Sequence, residues 1–145
     1  MKNIFIYYSL TGNGDVVAST LKDKGVDIRK IETLEPLRQN NILRILTGGY
    51  KAMKNYEDKL VSWDNNIEEY DEIFIGSPIW NARLSSPINT VLKNLKLDNK
   101  KITFILYSGS GKAKKAESML YSKYTGCNIV HLKEPKSNME ELQKI

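Results

Sequence analysis

Cysteine and histidine are almost absent from this sequence. Cys127 and His131 are the single members of their types among 145 residues. One thiol cannot form an internal disulfide, and one thiol with one imidazole is too small a set for a structural zinc site. A Ser-His-acid catalytic set is also hard to assemble around a single imidazole. We therefore expect Cys127 to be a small buried apolar residue and His131 to be structural.

Long apolar runs are missing as well. No stretch has the length of a membrane-spanning helix, and the start of the chain lacks the layout of a signal peptide. We expect a soluble cytoplasmic protein. The formal net charge is +5 at pH 7, but the basic residues are scattered among acidic ones. The densest basic cluster, Lys112 with Lys114 and Lys115, is short, so the pattern favours a solvated surface over a nucleic-acid site.

Short apolar runs instead alternate with helical patterns along the whole chain. Aliphatic and aromatic runs predict five strands, at residues 3–8, 26–31, 73–75, 102–107 and 127–132. Apolar residues at helical spacing predict helices at about 15–24, 87–96 and 113–124, and a short one at 138–144. This alternation implies parallel βαβ units in one α/β domain over residues 1–145. In a doubly wound sheet of this kind, the ligand lies beyond the carboxyl ends of the strands.

Residues 36–62 are less regular. Several apolar side chains in this segment fall on one helical face, and Gly48-Gly49 interrupts it. We predict a helix with a kink at the two glycines.

The loop after the first strand, residues 9–14 with the sequence Ser-Leu-Thr-Gly-Asn-Gly, is rich in hydrogen-bond donors. The Ser9 and Thr11 hydroxyls and the Asn13 amide can bind phosphate oxygens. The two glycines let backbone N–H groups approach closely, and the following helix adds its positive end. The alternative is a plain strand-to-helix turn. Neither the P-loop nor the Gly-x-Gly-x-x-Gly pattern is met.

Two further strands end in similar loops. Residues 76–82, Gly-Ser-Pro-Ile-Trp-Asn-Ala, follow the third strand, and Trp80 could offer an aromatic wall to a flat ring. The alternative is that Trp80 is an ordinary core or rim aromatic. Residues 108–111, Ser-Gly-Ser-Gly, follow the fourth strand, and we expect Tyr107 before them to belong to the strand.

These motifs resemble flavodoxins. Residues 8–13 resemble the family's phosphate loop, usually Ser/Thr-x-Thr-Gly-Asn-Thr, and Gly-Ser-Pro-Ile-Trp occurs in a group of flavodoxin-like proteins. The resemblance implies a flavodoxin-like three-layer sandwich, with a five-stranded parallel sheet in the order 2-1-3-4-5 and helices on both faces. It also implies bound FMN. The cofactor-binding residues that it implies are Ser9, Leu10, Thr11, Gly12, Asn13, Gly14, Ser77, Pro78, Ile79, Trp80, Asn81, Ser108, Gly109 and Gly111.

The chain departs from the family pattern at several places. Gly14 replaces the last Thr of the phosphate loop, which removes one hydroxyl. Asn81 and Ala82 replace a Trp-Gly pair, and Ala82 tolerates a positive φ poorly. Asp15 is expected to favour the helix dipole while pointing away from the phosphate. Many flavodoxins are strongly acidic, whereas this chain is basic.

Three functions follow from the resemblance. The first is electron transfer by bound FMN, with a redox partner protein or a small electron donor or acceptor. The second is a small FMN-dependent NAD(P)H or quinone oxidoreductase, with Lys112, Lys114 or Arg83 near an anionic substrate. The third is a flavin-free interaction module on the same fold. No catalytic residue, metal or nucleic-acid partner is assigned.

Overall fold

The computed structural model describes residues 1–34 and 57–145. The helix predicted within residues 36–62, whose apolar face runs over residues 42–53 with a kink at Gly48-Gly49, lies outside the described residues. Residues 57–62 are described and contain no helix. Leu60 instead forms an isolated antiparallel bridge with Thr33. No helix in the described part of the chain combines the length and apolar character needed to cross a bilayer.

Five parallel strands form the central sheet, and a short sixth strand pairs at its carboxyl edge. The strands are β1 (Asn3–Tyr7), β2 (Asp27–Lys30), β3 (Glu72–Trp80), β4 (Arg83–Leu84), β5 (Lys101–Ser108) and β6 (Asn128–Lys133). Their order is β2-β1-β3-β5-β6, with β4 antiparallel to β3. Without β4, this is the predicted 2-1-3-4-5 order, and the fold prediction is confirmed.

Helices flank the sheet as predicted. They are α1 (Asn13–Asp23), α2 (Ser86–Asn94) and α3 (Lys114–Lys123), and a 3₁₀ helix follows at Met139–Lys144. Pro87 lies in the first turn of α2, where its missing N–H costs no hydrogen bond. Helix α1 begins two residues earlier than predicted, inside the glycine-containing loop.

Alternating strand residues build two cores, one on each face of the sheet. On one face, Ile75 and Phe104 belong to a buried cluster with α2 and α3. On the other face, Phe5 and Tyr107 pack in a cluster with α1 and the 3₁₀ helix. Each fully buried side chain of this size contributes about 1.5–3 kcal/mol. Cys127 is buried in the first cluster, as predicted.

The third strand is much longer than its apolar triplet predicted. It continues from Glu72 through Trp80, because β5 pairs with it as far as the Pro78–Tyr107 register position. The chain then reverses over two residues, and Trp80 pairs with Arg83 of β4. Most of the segment that was predicted to be a loop after the third strand is therefore the end of the strand and a hairpin.

Candidate functional site

Tyr8 joins the ends of three neighbouring strands. Its backbone N–H donates to the Gly76 carbonyl at 3.2 Å, and its carbonyl accepts a hydrogen bond from the Tyr107 hydroxyl. Its ring meets Trp80 edge-on, with the ring centroids 5.8 Å apart. The loops after β1, β3 and β5 therefore meet at one edge of the sheet. Tyr8 was part of the family motif, but the sequence did not indicate this connecting role.

The first loop folds around the Ser9 hydroxyl. Its Oγ accepts hydrogen bonds from the backbone N–H of Gly12, at 3.1 Å, and of Gly14, at 3.0 Å. Gly12 precedes the first residue of α1 with a φ of 100°, a conformation that favours glycine. Two backbone donors are thus directed to one point at the amino end of α1. Leu10 packs, partly buried, against the core on the α2 side.

Gly14 is required by the two tyrosines behind it. A Cβ at this position would lie 2.5 Å from the Tyr107 hydroxyl oxygen and 2.7 Å from Cδ2 of Tyr7. Both distances are far below van der Waals contact, so the family's threonine cannot be placed here without movement. The departure at Gly14 is therefore a packing adaptation to Tyr7 and Tyr107.

Asp15 is bound by partners other than the amides of the first loop. Its Oδ1 accepts from the Tyr7 hydroxyl at 2.7 Å and from the Lys30 ammonium at 2.8 Å. Burial alone would raise the pKa of Asp15, but the hydrogen bonds from Lys30 and Tyr7 outweigh it and lower the pKa. Burial and the Asp15 hydrogen bond raise the pKa of Tyr7. The negative charge of an ionised Asp15 is thus paired with the Lys30 ammonium.

A turn after β6 contacts the first loop, which the sequence did not indicate. The backbone N–H of Lys136 donates to Oδ1 of Asn13 at 3.1 Å, and its ammonium donates to the Thr11 carbonyl at 3.1 Å. The first bond fixes the Asn13 amide, because Oδ1 faces the turn and Nδ2 must then point to the other side. There Nδ2 is 3.5 Å from the Thr11 hydroxyl oxygen. The Asn13 donor is therefore on the side of the loop's own hydroxyl.

Ser77, in the second motif, is wholly buried. Its hydroxyl donates to the Pro78 carbonyl at 2.8 Å, lies 2.9 Å from the Ser85 hydroxyl and accepts from the Ser85 N–H at 3.1 Å. These bonds fasten β4 and the start of α2 to β3. The Ser77 side chain is therefore committed to internal contacts. Pro78 and Ile79 are half-buried at the end of the strand.

The hairpin turn of the second motif is exposed and has an unusual backbone. Asn81 has a φ of 49° and Ala82 a φ of 60°. Two successive positive φ values are what a two-residue type I′ hairpin requires. The sequence suggested that Ala82 would resist this conformation. The pairing of Trp80 with Arg83 imposes it nonetheless.

The third loop is organised by Ser108 and His131. The Ser108 hydroxyl oxygen lies 2.7 Å from Nε2 of His131 and accepts the Gly111 N–H at 3.0 Å. Gly111 has a φ of 70°, and Gly109 is exposed. The Ser108 carbonyl accepts the N–H of Glu134 at 3.0 Å, which joins this loop to the turn that contains Lys136.

The His131 ring lies between Ser108 and Glu117, as the histidine of a hydrolase triad lies between its serine and its acid. The distances, however, indicate a structural role. Nδ1 of His131 is 3.5 Å from the Glu117 carboxylate and makes no hydrogen bond in the described structure. The Ser108 hydroxyl is occupied by the Gly111 N–H. Burial lowers the pKa of His131, and Glu117 opposes that shift only in part. The set holds the loop in place.

A separate cavity of about 670 Å³ opens between α2, α3 and β4. Arg83, Lys93, Lys115 and Lys123 line it together with Glu57 and several apolar side chains. Of the basic residues that the sequence proposed for an anionic substrate, Arg83 lines this cavity. Lys112 and Lys114 do not belong to its lining.

The residues at the meeting point of the three loops fit a phosphate monoester. The donors are the Ser9 and Thr11 hydroxyls and the Asn13 amide, at the positive end of a helix. The Gly12 and Gly14 N–H groups hold the Ser9 hydroxyl there. The carboxylate beside them, Asp15, is held by Tyr7 and Lys30. The structure brings these residues together. Their part in cofactor binding stays a prediction.

Comparisons with known proteins agree with this fold. The chain resembles a crystal structure from Bacteroides uniformis ATCC 8492, provisionally named a flavoprotein, with 25% identity, a TM-score of 0.69 and coverage of 88% of this chain and 85% of the other. It resembles a flavoprotein in complex with FMN from Lactobacillus acidophilus NCFM, with 21% identity, a TM-score of 0.68 and coverage of 96% and 97%. It also resembles the oxidised flavodoxin 1 of Bacillus cereus, with 17% identity, a TM-score of 0.50 and coverage of 99% and 93%.

A comparison with curated proteins finds no match. A family model described as flavodoxin, however, matches residues 2–143, which is nearly the whole chain. This chain belongs to the flavodoxin family.

Proposed function

We propose that this protein binds FMN at the meeting point of the three loops and uses it in electron transfer. The observation that carries the proposal is the first loop, where the Gly12 and Gly14 N–H groups hold the Ser9 hydroxyl at the start of α1, with the Thr11 hydroxyl and the Asn13 amide in the same loop. Family membership and the FMN complex of the Lactobacillus acidophilus flavoprotein support the choice of ligand.

Different residues of this site would bind the two ends of FMN, the phosphate and the ring system. The loop of residues 9–14 would hold the phosphate through its hydroxyls, its amide and its backbone N–H groups. Trp80 would form a wall for the ring system, and the backbone of residues 108–111 would face its polar edge. The flavin, when bound, supplies the electron-carrying chemistry, and the chain supplies binding and orientation.

A redox partner protein is part of the proposal. The net charge of +5 means that the chain does not have the strong overall negative charge of many flavodoxins. Electrostatic steering would therefore favour partners with an acidic docking surface. The rate of electron exchange with such a partner should fall as salt is added.

The cavity beside β4 favours one second candidate, a small FMN-dependent NAD(P)H or quinone oxidoreductase. Arg83 follows the hairpin turn directly and lines the cavity with Lys115. These two cations could bind an anionic reductant. If NADPH alone reduces the bound flavin rapidly, the oxidoreductase is favoured, and if reduction requires a partner reductase, the carrier is favoured.

The test of the cofactor is a visible absorption spectrum of the purified protein before and after addition of FMN and desalting. We expect flavin bands that survive desalting in a one-to-one ratio with protein. Thr11→Val removes a hydroxyl from the loop at nearly constant shape and should weaken FMN binding roughly three- to tenfold. Thr20→Val in α1, whose hydroxyl donates to the Val16 carbonyl, is the matched control and should bind as the wild type does. A folded protein that retains no flavin would contradict the proposal.

A further inference from the structure

We propose that Lys136 supplies the positive charge for the phosphate of the flavin, so that the site selects FMN over riboflavin. This inference rests on the proposed function. The first loop contains no lysine or arginine of its own. Any cation for the phosphate therefore comes from another part of the chain, and Lys136 is separated from Thr11 by 125 positions in sequence.

The backbone of Lys136 is held in place by both neighbouring loops. The turn begins at Glu134, whose N–H donates to the Ser108 carbonyl at 3.0 Å, and its carbonyl accepts the N–H groups of Ser137 and Asn138 at 2.9 Å each. On the other side, the Lys136 N–H donates to Asn13 at 3.1 Å. This turn thus links the third loop to the first and fixes the point from which the lysine side chain extends.

The side chain of Lys136 lies against Gly12. A Cβ built on Gly12 would be 3.2 Å from the Lys136 ammonium nitrogen and 3.2 Å from its Cδ. The ammonium donates to the Thr11 carbonyl at 3.1 Å, which uses one of its three hydrogens. The charge is therefore beside the loop in which the Gly12 and Gly14 N–H groups hold the Ser9 hydroxyl, and the ammonium keeps two hydrogens for a ligand.

No carboxylate among residues 1–34 and 57–145 forms an ion pair within 4.0 Å of this ammonium. The acidic group of the first loop, Asp15, is 2.8 Å from Lys30 and is paired with it. Burial raises the pKa of Asp15, whereas Lys30, Tyr7 and, to a smaller extent, the charge of Lys136 lower it. Within the described part of the chain, the charge of Lys136 thus has no carboxylate in ion-pair contact with it, and it lies close to the helix end that attracts anions.

This arrangement predicts a specific difference between two ligands. FMN and riboflavin share the ring system and the ribityl chain, and only FMN carries the phosphate. The contribution of Lys136 should therefore appear in the affinity for FMN and be missing from the affinity for riboflavin. Because Lys136 is exposed, salt should weaken its contribution.

The test is the dissociation constant for FMN and for riboflavin, measured by quenching of flavin fluorescence at low and high salt. Lys136→Gln should weaken FMN binding roughly five- to tenfold at low salt and leave riboflavin binding unchanged. The substitution keeps the backbone N–H that binds Asn13. Lys96→Gln makes the same charge change on an exposed residue before β5, at the opposite edge of the sheet, and should have little effect.

The outcomes separate the two proposals. If the wild type binds neither flavin, the proposed function is wrong and this inference falls with it. If the wild type binds FMN and Lys136→Gln binds it equally well, only the role of Lys136 is wrong. The wild type alone gives a second check in case the variant does not fold, because its FMN affinity must fall with salt more steeply than its riboflavin affinity. Equal salt dependence for both ligands would overturn the inference.

Discussion

The hydroxyl of Tyr107, at the end of β5, donates a hydrogen bond to the carbonyl oxygen of Tyr8 in the first loop. Tyr107 is 1% exposed, and burial raises the pKa of its hydroxyl well above the ordinary value. The hydroxyl therefore stays protonated and remains a donor at all physiological pH values. It connects the end of one strand to the loop that follows another.

Tyr107→Phe should destabilise the protein by about 1–3 kcal/mol, because the buried Tyr8 carbonyl loses its donor. The free energy of unfolding in urea measures the loss. Tyr121→Phe is the control, since Tyr121 is 54% exposed, and should change the stability by less than about 0.5 kcal/mol. Equal stability of the two variants would show that this hydrogen bond contributes nothing.

Gly14→Thr restores the residue usual in the family but should damage this protein. The new Cβ would overlap the Tyr107 hydroxyl and the Tyr7 ring, and overpacking of this kind costs about 1–3 kcal/mol. FMN affinity should fall as well, although a hydroxyl has been added. The unfolding free energy and the FMN dissociation constant are both measured.

A double-mutant cycle isolates the cause. In the Tyr107→Phe background the nearest overlap, with the Tyr107 oxygen at 2.5 Å, is gone, while the one with Tyr7 remains. Gly14→Thr should therefore cost less in that background than in the wild type, although more than zero. Costs that add independently would mean that the Tyr107 hydroxyl is not the obstacle.

Ala82→Gly should stabilise the protein by about 0.5–1 kcal/mol, because Ala82 has a φ of 60° and an L-residue is strained there. Ala18→Gly is the control in the middle of α1 and should destabilise by about 1 kcal/mol or more. Both values come from urea unfolding. A loss of stability in both variants would show that the hairpin does not strain Ala82.

The fold was largely predictable, because five short apolar runs and the helical patterns between them carry their own signal. The first loop was predictable for the same reason, since Ser9, Thr11, Gly12 and Asn13 are contiguous. The length of β3 could not be predicted from the sequence. Its apolar triplet ends at Ile75, and pairing with β5 and β4 determines the rest.

The contacts that complete the site could not be predicted from local sequence patterns. Lys136 meets Asn13 across 123 positions, and Tyr107 meets Tyr8 across 99. The residues next to Lys136 or Tyr107 in the sequence do not indicate which distant residue each of them contacts. Family motifs describe contiguous residues, so they indicated the loop and left out the lysine that lies over it.

His131 should make the stability of the protein depend on pH below neutrality. Burial lowers its pKa in the folded state relative to the ordinary value of about 6.5, so the unfolded chain takes up the proton first as pH falls. The free energy of unfolding should therefore decrease from about pH 7.5 towards pH 5. The charged groups that act on this imidazole are Glu117, Lys144 and Glu141, of which Lys144 also lowers the pKa and the two acids raise it.

His131→Gln removes the titrating group and keeps a side-chain amide that can reach Ser108. Urea unfolding at several pH values between 5 and 7.5 should give a flatter profile for this variant than for the wild type. Asp15 and Glu141, whose pKa values are lowered, lose their stabilising charge only at more acidic pH, so they affect a different part of the profile. Parallel profiles for the two proteins would mean that His131 is not the group responsible.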